Sequence, residues 1–155
     1  MARIYDRMPF AARLFVKTGI TYLVITFVGG AALMIMEAAG RPAPFIVSVE
    51  HGHAGFVGWL VNTVIGVGLW LLPLNRERFP EAQGRYPEGA VRVAYFALNL
   101  GLVARLLCEP WFDATKAAAA GVLLILSALA QLLGIGTAAW VLWQRVFPPP
   151  LRPGL

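Results

Sequence analysis

Residues 50–73 read EHGHAGFVGWLVNTVIGVGLWLLP. From Ala54 to Pro73 no side chain is charged, and the run closes on a proline, which cannot continue a helix without losing a hydrogen bond and clashing with the preceding turn. A helix crosses a bilayer with about 20 apolar residues, so a transmembrane helix is expected over 52–72. Working outward, comparable apolar runs occupy 11–36, 90–108 and 117–146, with Pro110 expected to stop the third as Pro73 stops the second. The predicted fold is all-α: an integral membrane four-helix bundle forming a single transmembrane domain over 1–155. A proline-rich tail, 147–155, with Pro148, Pro149, Pro150 and Pro153, is expected to be extended.

Composition agrees. Hydrophobic residues make up 59% of the chain and charged residues 14%, a balance that suits a bilayer rather than water. The net charge of +5 does not indicate nucleic acid, because the basic residues are scattered singly among apolar runs and form no patch. Cys108 is the sole cysteine, which rules out an intrachain disulfide and a four-cysteine metal site. Near the N-terminus the apolar run 19–36 is longer than the core of a secretory signal, so it is read as a retained span.

The cations set an orientation. Arg3, Arg7, Arg13, Lys17, Arg76, Arg78, Arg85, Arg92, Arg145 and Arg152 belong to one side, whereas Arg41, Arg105 and Lys116 belong to the other. A ten-to-three partition predicts both termini inside, N-in/C-in, with the loop before His51 facing out. The expected location is a bacterial-type inner (plasma) membrane, crossed several times. Trp111 and Phe112 at the outer level, with Trp70 and Trp143 at the inner level, fit aromatic belts.

Only two histidines occur, His51 and His53, at the outer mouth of the second span. On a regular helix residues two apart diverge by about 200°, so the two rings must serve different partners. The His51 direction runs down Gly55, Gly58, Asn62 and Gly66, all small or polar, whereas the His53 direction passes Val57, Leu60, Val64 and Leu71. Small residues admit a flat ligand or another backbone, which favours His51 as the inward ligand, with His53 as its rival. If the segment before Ala54 is instead extended, Glu50, His51 and His53 form an outward metal site suited to zinc or copper. Asn62, Asn99 and Gln131 are read as interhelical hydrogen-bonding groups. Glu37, Glu50, Glu109 and Asp113 are read as solvated interfacial carboxylates, and Arg105 and Glu109, four apart, as a local helix pair.

The closing pattern Gly66, Gly68, Trp70 and Pro73, with His51 and Gly52 near the opening, resembles the second helix of subunit I of haem-copper oxidases and of the large subunit of nitric oxide reductase. The pairing of an HxH opening with Gly58–Trp59 and with LNLGLVAR over 98–105 also resembles short four-span bacterial proteins. The resemblance implies a membrane b-type haem protein for electron transfer or diatomic gas binding. Haem b iron would be ligated by His51, or by His53, with Gly55, Gly58 and Asn62 lining the haem and Arg105 or Arg41 holding its propionates. The family's further histidines have no counterpart here, so a complete oxidase or reductase is not expected. A haem with two axial ligands then calls for a second copy of the chain, hence a homodimer in the lipid, with a redox partner protein or quinol as the exchange partner. The rivals are a haem-free subunit docking a larger partner and the outward metal-binding protein.

Overall fold

The computed structural model describes residues 8–146. The tail 147–155 lies outside the described residues, as do Arg3, Arg7 and Arg152. Four helices account for the fold: α1, Phe10–Ala38; α2, Phe45–Leu71; α3, Glu88–Thr115; and α4, Ala118–Trp143. All four are long and apolar enough to span a membrane, and no strand occurs among the described residues.

Prolines mark the helix starts. Pro9, Pro44 and Pro87 each hold the N-cap position with extended ψ, where a fixed φ costs nothing and the missing N–H has no role in the helix. α1 ends at a left-handed Gly40, φ 72°, with Gly40 N–H donating to Glu37 O and Arg41 N–H to Met36 O at 2.9 Å each. This is the double bond of a Schellman cap. α2 stops at Leu71, ahead of Pro73 as expected.

Two expectations need correction. Pro110 does not close the third span: α3 runs through it and ends at Lys116 in the left-handed region, φ 52°. A proline removes one backbone N–H, that to the carbonyl four residues back, and here the helix resumes for its final turn. The segment before Ala54 is not extended either, since α2 is helical from Phe45 and carries Glu50, His51 and His53 within it.

The helices pack in pairs, α1 along α2 and α3 along α4, and α1 and α4 lie apart. Backbones approach closely at glycines. A Cβ at Gly134 would sit 2.6 Å from Leu98 N, and one at Gly66 2.9 Å from Ala12 O. α1 joins α3 through Thr18 Oγ1 and Tyr95 Oη at 2.8 Å, with Phe15 edge-on to the Tyr95 ring. At the opposite end from Glu50, the loop before α3 folds back, Asn75 N–H donating to Gly84 O at 2.8 Å with Gly84 at φ 84°. There the buried Arg145 donates to the carbonyls of Leu69, Leu72 and Pro73.

The middle of α2 is not α-helical. Ala54–Val61 is a π-helical segment, in which hydrogen bonds run five residues back and each turn is wider. A helical wheel drawn at 3.6 residues per turn is therefore offset below it, misplacing Asn62 although Gly66 still meets α1. Gly55 and Gly58 do face α1, where Thr26 and Tyr22 cover them, but the next residue toward α1 is Thr63, opposite Gly19. Asn62 is turned instead to α3. Its Nδ2 donates to Val57 O and its Oδ1 accepts from Asn99 Nδ2, both at 3.0 Å, and Asn99 Nδ2 also reaches Tyr95 O at 3.0 Å. The expected interhelical role of Asn62 and Asn99 thus holds, on a different face.

Candidate metal centre

Glu50 and His53 are three apart in the α-helical first part of α2, a spacing that stacks a carboxylate and an imidazole on one face. Glu-x-x-His at this spacing is how helix bundles present metal ligands inward. His53 Nδ1 lies 4.0 Å from Glu50 Oε1. That face meets α3, which brings Glu109 across, and one ligating atom from each of Glu50, His53 and Glu109 lies within 4.8 Å of the others. One turn before Glu109, Arg105 Nε donates to Glu109 Oε2 at 2.7 Å.

The cluster is withdrawn from solvent. Side-chain exposure is 11% for Glu50 and 25% for His53. For Arg105 and Glu109 it is 27% and 20%. Both Glu50 oxygens and His53 Nδ1 are buried, and no hydrogen bond of ordinary geometry reaches them. With both carboxylates ionised and the imidazole neutral, two negative charges would face one guanidinium in a poorly hydrated place. Burying a carboxylate without a hydrogen-bond donor of its own is costly.

The remaining expected site residues, Arg105 apart, lie elsewhere. His51 points to the α1 side, where a Cβ on Gly30 would come within 3.2 Å of its Cε1 and one on Gly29 within 3.4 Å of its Nδ1. The two histidines face different helices, and the ring grouped with acidic side chains is His53. Gly55 and Gly58 are filled over by α1. Arg41 sits beyond the end of α1, where its backbone N–H completes the cap. Arg105 is engaged by Glu109.

Glu109 was missed as a candidate ligand because its local pairing with Arg105 gave it a sufficient role. The signal was the Glu50-x-x-His53 spacing, which asks for another donor at the same depth, and Glu109 lies near the matching end of its own span. No family model, curated protein or solved structure matches the chain, and none of these comparisons links it to the haem-copper oxidases.

Proposed function

We propose that this chain is a multi-pass membrane protein that binds a divalent first-row transition-metal ion between α2 and α3. The observation that carries this reading is that both oxygens of Glu50 and Nδ1 of His53 are buried and unpartnered within reach of a third ligand, Glu109. A bound cation offsets the desolvation of those groups. Imidazole with carboxylates suits zinc-like ions rather than the thiolate-seeking ones. Three protein ligands leave one position open, which is the pattern of sites that load and exchange a ligand rather than of closed structural sites. Titration of the detergent-purified protein with Co2+ tests this. One equivalent should develop a protein-dependent visible spectrum, and a spectrum identical to Co2+ in buffer removes the proposal.

The ten-to-three partition of cations supports N-in/C-in, which puts this centre near the outer face of a bacterial-type plasma membrane. Ser48 is exposed in the first turn of α2. A thiol introduced there as Ser48→Cys is expected to be labelled from outside intact cells. Labelling only after permeabilisation inverts the topology.

Haem b ligation is a second reading, favoured by His51 lying against Gly29 and Gly30, the paired glycines that leave its ring room on the α1 side. Because Tyr22 and Thr26 cover the stripe below it, the haem would lie outside the α1–α2 seam, with a second chain supplying its other ligand. Protein expressed with ample haem should then show a Soret band that His51→Ala abolishes. A colourless preparation excludes this reading.

A further inference from the structure

We propose that Arg105 sets which ions the centre accepts, a role that rests on the metal site of Glu50, His53 and Glu109. Glu109 is used from two sides. Its Oε2 accepts the Arg105 Nε–H at 2.7 Å, a charge-assisted bond of the stronger kind, which occupies one lone-pair direction of that oxygen and ties the orientation of the carboxylate to Arg105. The two residues sit one turn apart on α3, and the helix backbone therefore fixes the pairing whether or not an ion is present. An unheld carboxylate can clasp a large ion with both oxygens, which is how Ca2+ collects its six to eight oxygen ligands. One whose orientation is tied to a neighbouring guanidinium resists turning both oxygens to the same ion.

The donor set that results is small: one oxygen from Glu109, one imidazole nitrogen from His53 and the free carboxylate of Glu50. Ions content with about four ligands, such as Zn2+, are satisfied by that set and a water. Ions that prefer six or more, mostly oxygen, are not. Arg105 also removes one unit of the negative charge that would otherwise draw in any cation without discrimination. Both effects act through Glu109, which makes Arg105 a positioning residue and not a ligand.

The test compares Zn2+, Mn2+ and Co2+ titrations of the full-length protein in detergent with those of Arg105→Met and Arg105→Lys. The wild type is expected to prefer Zn2+ to Mn2+ and to give the intense visible Co2+ bands of four-coordination. In Arg105→Met the Zn2+-to-Mn2+ preference should fall by about tenfold or more, the scale on which outer partners of metal ligands act, and the Co2+ bands should weaken to those of a higher coordination number. Arg105→Lys, which keeps a cationic donor beside Glu109, should retain most of the preference. An unchanged ratio and spectrum in Arg105→Met overturn the role of Arg105 while leaving the site intact. A wild type that binds none of the three ions removes the site itself. If Arg105→Met does not purify folded, the wild-type spectrum alone decides, since weak six-coordinate Co2+ bands contradict the held carboxylate.

Discussion

Replacing His53 by alanine should weaken Zn2+ or Co2+ binding by more than about 100-fold, beyond the ten- to hundred-fold typical of residues that merely support a ligand. Glu50→Gln should do the same, because the amide keeps the shape of the side chain but gives up the negative charge. His51→Ala should leave the affinity unchanged, since His51 lies on the α1 side of α2, against Gly29 and Gly30, and outside the group of Glu50, His53 and Glu109. This contrast between neighbouring histidines is the sharpest consequence of the geometry, and isothermal titration on the three variants reads it directly. Equal losses in His51→Ala and His53→Ala would show that both rings reach one ion, which the helical backbone over Phe45–His53 does not allow.

The largest expected effect on stability lies at the other end of the bundle. Leu69 O would take its helical hydrogen bond from the residue four positions on, but that residue is Pro73, which has no N–H. Arg145 Nη1 supplies the missing donor at 2.7 Å, and its Nε and Nη2 reach Pro73 O and Leu72 O. Arg145 is 2% exposed, and its guanidinium carbon stands 5.8 Å from the centre of the Tyr86 ring. Arg145→Leu leaves several buried carbonyls without donors at about 1–3 kcal/mol each, so a loss of roughly 3 kcal/mol or more is expected, seen as a lower midpoint of thermal unfolding in detergent. Part of that loss should vanish in a Pro73→Ala background, where the backbone recovers its own donor and the two changes couple. A midpoint unchanged by Arg145→Leu would mean that water already serves those carbonyls.

Most of the fold could be read from the chain because the bilayer imposes a length and a polarity that few other constraints mimic. The apolar runs and Pro73 sufficed for four helices and for the end of α2. Pro110 misled because a proline inside a helix forfeits only one backbone bond, and nothing local says whether the helix will resume. For the site, the chain showed where Glu50, His53 and Arg105 stand along their helices but not which faces meet. Two causes are physical. The placing of Glu109 depends on how α3 docks against α2, a contact between residues 59 positions apart with no trace in local periodicity. The turning of Asn62 toward Asn99 depends on the widened segment Ala54–Val61, whose apolar sequence is equally compatible with an ordinary helix. Arg145 was legible as a cation near a membrane boundary, while its service to Leu69 required the two helix ends to be seen together.

The widened segment also bears on how this site could be gained or lost. A turn with bonds five residues back holds one residue more than the turn it replaces, so the stretch Ala54–Val61 amounts to one surplus residue inserted between Glu50–His53 and the Asn62–Asn99 pair. Deleting a single residue there would regularise the helix while leaving its lower half seated. The upper half would rotate by about 100°, carrying the carboxylate and imidazole away from Glu109. One codon in an otherwise ordinary apolar run thus separates a bundle that brings three candidate ligands together from one of the same fold that parts them.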